Sequence, residues 1–95
     1  MERYTDTISG EELYIHIGPG GSKNYYKDKE LDIPHRVDGP AFESDDRGKM
    51  WYVNGNLHRL DGPALISAID SKKWYVNGTF ILEVNHKDKI IKRMS

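Results

Sequence analysis

Two histidine–arginine pairs, His35-Arg36 and His58-Arg59, are the side chains of this chain best suited to chemistry. Each opens the same string: Val37-Asp38-Gly39-Pro40-Ala41 follows the first, and Leu60-Asp61-Gly62-Pro63-Ala64 follows the second. A guanidinium presents a planar fork of donors that suits a carboxylate or a phosphate. A row made of Arg36 and Arg59, backed by His35 and His58, would therefore bind an anionic group. The same residues also have a structural use. Asp-Gly-Pro is a turn sequence, and Arg36 with Asp38, or Arg59 with Asp61, can brace it. Repetition favours bracing, because an active site needs only one copy.

Other chemistry is poorly supplied. With no cysteine in the chain, neither a disulfide nor a thiolate metal site can form. Equivalent histidines two strands apart stand about 10 Å from each other. Zinc needs each nitrogen within ~2.1 Å, so His35 and His58 do not form a metal site within one protomer. No nucleophile-elbow, paired-histidine zinc or phosphate-loop motif is present. Gly18-Pro19-Gly20-Gly21 reads as a hairpin turn. No pair of carboxylates is placed to act as acid and base. The expectation is a protein that is not an enzyme and carries no cofactor.

The aromatic residues are the other candidate surface. Trp51-Tyr52-Val53-Asn54-Gly55 recurs as Trp74-Tyr75-Val76-Asn77-Gly78. Alternate residues of a strand face opposite ways. Trp51, Val53, Trp74 and Val76 are expected on the core face, which leaves Tyr52, Tyr75 and Tyr26 on the other. Tyrosines beside arginines make good interface material. The candidate binding residues are thus Tyr26, His35, Arg36, Tyr52, His58, Arg59 and Tyr75.

The elements that position these residues follow from the spacing. Both strings recur after 23 residues, so one small unit is stacked on itself. A degenerate first copy begins at Tyr25-Tyr26. It lacks the Asn-Gly pair, so its turn must differ. Short β-rich segments alternate with turn clusters such as Asp45-Asp46-Arg47-Gly48 and Asp70-Ser71-Lys72. The reading is an all-β protein of stacked antiparallel β-hairpins in a single domain. The hairpin repeats cover about 13–80, and a C-terminal cap covers about 84–95.

The period, the aromatic-x-x-Asn-Gly turn, the His-Arg pair and the Gly-Pro-Ala that follows resemble a MORN-type repeat. The variant Trp-Tyr-x-Asn-Gly…His-Arg-x-Asp-Gly-Pro-Ala is similar to repeats of phage and bacterial proteins. The resemblance implies an elongated, twisted sheet of hairpins. It also implies a small accessory protein that engages a host or partner protein, in a counter-defence or host-modulating role.

The tail departs from the repeat. Asn85 can cap a helix, and Asp88 suits its N-terminal end. Ile90 and Met94 fall four residues apart, and Lys92 and Arg93 suit the C-terminal end. A short amphipathic helix over 86–94 is expected to cover the open end of the sheet.

Bulk properties bound the rest. Ninety-five residues bury only a thin core, which favours a surface site over a deep pocket. A net charge of -1 argues against general nucleic-acid binding. No apolar run approaches the ~20 residues of a membrane span, and the N-terminal residues lack a signal-peptide core. A cytoplasmic protein is expected. Exposed strand edges and tyrosine-rich faces point to a homo-oligomer. The leading function is a non-catalytic protein-binding module. The alternative is an oligomer that sequesters a phosphorylated small molecule or nucleotide, and a hydrolase ranks last.

Overall fold

A computed structural model describes residues 2–93. The strands are β1 (Glu2–Thr5), β2 (Glu12–Ile17), β3 (Lys23–Tyr26), β4 (Phe42–Ser44), β5 (Gly48–Met50), β6 (Tyr52–Val53), β7 (Asn56–Leu57), β8 (Leu65–Ile66), β9 (Lys72–Val76), β10 (Thr79–Val84) and β11 (Ile90–Arg93). Nine of them form one sheet in the order β1-β2-β3-β4-β5-β8-β9-β10-β11, and β6-β7 is a separate hairpin. Every pairing is antiparallel. The chain therefore advances along the sheet almost in sequence order, as short turns between β-rich segments require.

The Asn-Gly pairs make the tightest of these turns. Val53 faces Asn56 and Val76 faces Thr79, so each loop has two residues. Asn54, Gly55, Asn77 and Gly78 all have positive φ. Two consecutive left-handed residues define the type I′ turn, whose twist matches that of the strands, and Asn-Gly is the pair that tolerates it. The first copy turns differently, as the missing Asn-Gly requires. The Lys27 N–H bonds the Ile33 carbonyl at 3.0 Å, and Asp28 Oδ1 accepts the Ile33 N–H at 2.9 Å.

The core is thin. Leu13, Tyr25, Ala41, Ala64 and Val84 are its buried apolar residues among those described. Ala41 and Ala64 close the two motif strings. Each passes its carbonyl to an aromatic residue one strand back, at 2.7 Å to the Tyr25 and Trp51 N–H groups. The expected core face is only partly realised. Trp51, Val53, Trp74 and Val76 are half-buried, like Tyr52 and Tyr75 on the other face. A sheet this thin has too little mass to bury either face fully.

Among the described residues the expected C-terminal helix is absent. Asn85 does use its side chain as a cap: Oδ1 accepts the N–H groups of Lys87 at 2.9 Å and Lys89 at 3.0 Å. That bond closes a tight turn, with Asp88 at a φ of 59°, and not a helix. The chain then returns as β11 along β10. A nine-residue helix is marginal without packing, whereas Ile90-Ile91 beside an open strand edge gains a ladder of backbone bonds. Met94, the last residue of the expected helix, lies outside the described residues with Ser95. Among the described residues no helix is long and apolar enough to cross a membrane.

Gly48 is the tightest point of the sheet. A Cβ built there would stand 2.0 Å from the Ile66 carbonyl oxygen, at a φ of 93°. Gly48→Ala is expected to cost roughly 2–4 kcal/mol, because it combines backbone strain with loss of the β5–β8 pairing. Chemical denaturation of the variant beside the parent chain measures this; an unchanged midpoint would refute it.

Candidate functional site

Both motif strings bend at the same three residues, 37–39 and 60–62, and their internal bonds coincide. The His35 N–H bonds the Tyr25 carbonyl and the His58 N–H bonds the Trp51 carbonyl, each at 3.0 Å. The Arg36 and Arg59 N–H groups bond the carbonyls of Tyr52 and Tyr75, at 3.0 and 3.1 Å. The imidazoles do matching work. His35 Nδ1 accepts the Asn54 N–H, and His58 Nδ1 accepts the Asn77 N–H, each at 2.9 Å. Each ring therefore holds the next Asn-Gly turn and has spent the Nδ1 lone pair that a metal would need. Among the described residues no group of three or more acidic or histidine side chains could hold a metal ion.

The arginines are wedges inside their own loops. Arg36 Nε donates to Asp38 Oδ1 at 2.6 Å, and Arg59 Nε donates to Asp61 Oδ1 at 3.0 Å. Their Nη1 groups donate to the carbonyls of Pro40 at 3.2 Å and Pro63 at 3.1 Å. The Arg36 guanidinium lies 4.2 Å from the Tyr25 ring centre, and that of Arg59 lies 3.9 Å from the Trp51 ring centre. Stacking of this kind favours Arg over Lys. The following glycine leaves room for the fork: a Cβ at Gly39 or Gly62 would come within 2.9 Å of the guanidinium carbon. The motif thus builds a joint first, and any recognition must use what the joint leaves over.

The two loops differ in what covers them. Over the first lies the turn after β1. Asp6, which is buried, receives the N–H groups of Val37 at 2.6 Å and Asp38 at 3.2 Å on Oδ2. Its Oδ1 receives Ile8 and Ser9. Asp38 Oδ2 receives the Thr7 N–H at 2.9 Å, the Thr7 hydroxyl at 2.8 Å and the Tyr4 hydroxyl. Glu11 receives Nε2 of His35 at 2.7 Å. Burial pushes the Asp6 and Asp38 carboxyls up. The surrounding N–H groups outweigh it in both cases, joined at Asp38 by the Tyr4, Arg36 and Thr7 side chains, and both end below the usual carboxylate range. The sequence offered only a weak signal for Asp6, an aspartate three residues before Ser9-Gly10, which reads as an ordinary turn.

Nothing among the described residues covers the second loop in this way. The Asp38 side chain is 5% exposed and that of Asp61 is 86% exposed. Leu60 is 79% exposed where Val37 is 38%. Between the loops lies a groove of about 470 Å³. It is lined by Arg36, Val37, Asp38 and Gly39, by His58, Arg59, Leu60 and Asp61, and by Trp51, Val53 and Ile8. Of the residues expected at the site, Arg36, His58 and Arg59 meet in this groove. His35 is buried behind it. Tyr26, Tyr52 and Tyr75 do not line it. Tyr26 pairs across the sheet with Tyr14, and Tyr75 stands edge-on to Phe80 at 5.6 Å. Burial raises the Tyr52 phenol, with the Tyr75 phenol adding to the effect.

Comparison with family models, with curated proteins and with solved structures finds no match to this chain.

Three expectations follow from the joints. Asp6 and Asp38 have lowered folded-state pKa values. Their contribution is therefore complete above the ordinary carboxylate range of about 4 and is lost as pH falls below it. Thermal melts from pH 7 to 2 should show a flat region and then a steep acid loss, and Asp38→Asn should lower the neutral plateau and flatten the acid limb. Asp6→Ala strands N–H groups in both turns and should cost roughly 2–4 kcal/mol. For the arginines, Arg36→Lys should destabilise more than Arg59→Lys, because Arg36 is the more enclosed. Equal melting points for the two variants would contradict that order.

Proposed function

We propose that the protein is a non-catalytic protein-binding module that uses the groove between its two repeated loops. The observation that carries this reading is the contrast between those loops: the same bonded frame is sealed at residues 35–41 and open at residues 58–64. An open loop whose exposed leucine stands next to Trp51 and Arg59 has the mixture of apolar, aromatic and arginine surface that interfaces use. The engagement of Nε and Nη1 of both arginines within their own loops favours this reading over sequestration of a small phosphorylated molecule, which needs free guanidinium forks. The hydrolase reading gains no support from the loops, whose histidines are tied to turns.

The resemblance to MORN-type repeats fits the repeated hairpins and suggests a twisted, open-ended stack. On this reading the protein is a phage or bacterial accessory protein acting in the cytoplasm on a host or partner protein. It works as a homo-oligomer joined through the edges β1 and β11, where a strand ladder can continue from one copy to the next.

Native mass spectrometry of the protein purified from its own cellular background tests the reading. The expected result is a stoichiometric protein partner, lost from the Leu60→Glu variant while the melting temperature stays within a degree or two of the parent. A bound nucleotide or phosphorylated metabolite with no protein partner would overturn it in favour of sequestration. Sedimentation should give a mass above the 11.0 kDa of one chain.

A further inference from the structure

We infer that the loop at 58–64 is the receptor for an aspartate-bearing turn of the partner protein, specifically an Asp followed by Thr or Ser. This rests on the binding-module reading and specifies its ligand. The chain carries its own template. At the first loop a single dipeptide, Asp6-Thr7, makes a reciprocal pair of contacts. The Asp6 carboxylate takes the N–H groups of Val37 and Asp38, while the Thr7 N–H and hydroxyl supply donors to the Asp38 carboxylate. Consecutive backbone N–H groups in a bent loop form an anion-binding concavity.

The second loop has the same frame. Arg59 holds Asp61 and the Pro63 carbonyl as Arg36 holds Asp38 and the Pro40 carbonyl. Its Leu60 and Asp61 are exposed and line the groove. They present the positions at which the first loop receives Asp6-Thr7.

Charge selects the ligand further. The groove holds two guanidinium groups and two carboxylates, Arg36 with Asp38 and Arg59 with Asp61. A bare carboxylate would meet the Asp61 carboxylate without any donor to offer it, and a phosphate would bring it mostly negative oxygens. A segment that brings a carboxylate for the Leu60 and Asp61 N–H groups, together with a hydroxyl and an N–H for Asp61, satisfies both sides. Charge-assisted bonds of this kind are the stronger class of hydrogen bond. The exposed Leu60 offers an apolar surface beside them, and Val37 and Ile8 also line the groove.

The test is an amide-resolved NMR titration of the whole chain with the synthetic peptide Thr-Asp-Thr-Ile-Ser-Gly, the sequence of residues 5–10. Saturable shifts are expected at the Leu60 and Asp61 amides. An Asp→Asn peptide, and an Asp61→Ala protein with an unchanged melt, should each bind roughly tenfold more weakly or worse. Four results of the titration would overturn the inference. One is no shift at Leu60 and Asp61 up to millimolar peptide. Another is equal shifts from acetate or phosphate alone. A third is peptide-induced shifts at Val37 and Asp38 in place of Leu60 and Asp61, which would mean that the peptide displaces Asp6. The last is concentration-dependent shifts at Leu60 without peptide, which would make a second copy of this chain the occupant. A protein partner that survives in native mass spectra of Asp61→Ala would also overturn it, while leaving the binding-module reading intact.

Discussion

The bond from a turn N–H to a histidine Nδ1 is the joint on which this sheet depends. It runs from Asn54 to His35 and from Asn77 to His58, across the same separation of 19 residues. Without it a type I′ turn would direct an unpaired N–H toward an imidazole. With it, each loop fixes the turn of the next unit, and the arginine beside the histidine fixes the loop. Few apolar side chains are buried, so these polar joints carry an unusual share of the specification. Their geometry also explains the residue types. Histidine supplies an acceptor on a rigid ring, arginine fills the loop and stacks on an aromatic face, and glycine leaves room for the guanidinium.

The joint is repeated, but its surroundings are not, and that difference separates structure from surface. At the first loop the N-terminal turn supplies Asp6, Thr7 and Tyr4, and the polar groups of the loop are covered. At the second loop the same groups meet solvent. The third unit has no such loop. Ile81 and Leu82 stand 23 residues after His58 and Arg59, and the chain runs straight through them as β10, with the register shift falling between Phe80 and Leu82. An apolar pair can continue a strand but cannot brace an Asp-Gly-Pro turn. The stack therefore has one sealed loop, one open loop and a hairpin to end it.

Much of this was legible in the sequence, because turn chemistry is local. Asn-Gly, Asp-Gly-Pro and the 23-residue period placed the hairpins, and the absence of Asn-Gly from the first copy marked a different turn. The bracing of Arg36 by Asp38 and of Arg59 by Asp61 was also readable from proximity along the chain. What could not be read was non-local. Asp6 lies 31 residues from Val37, and no pattern in the sequence announces that its carboxylate caps that loop. The tail misled for a related reason. Asn85 caps a tight turn, and its bond to the Lys87 N–H is one it would also use to start a helix, so the local signal was real but ambiguous. The unpaired edge of β10 decided between the two outcomes, and an edge is a property of the assembled sheet.

The aromatic residues show the limit of strand alternation as a guide to burial. Alternation sets Trp51 and Trp74 against Tyr52 and Tyr75, but all four are half-buried, because it does not say whether anything lies over either face. In the first copy the answer comes from β1: Tyr4 stands edge-on to Tyr25 at 5.3 Å, and Arg36 lies over both rings, so Tyr25 is buried. In the second copy Arg59 covers Trp51, yet the ring still lines the groove. The same position is core in one unit and wall in the next. What differs is whether the chain itself supplies a neighbour: β1 and its turn do so in the first unit, and none of the described residues does so at the second loop.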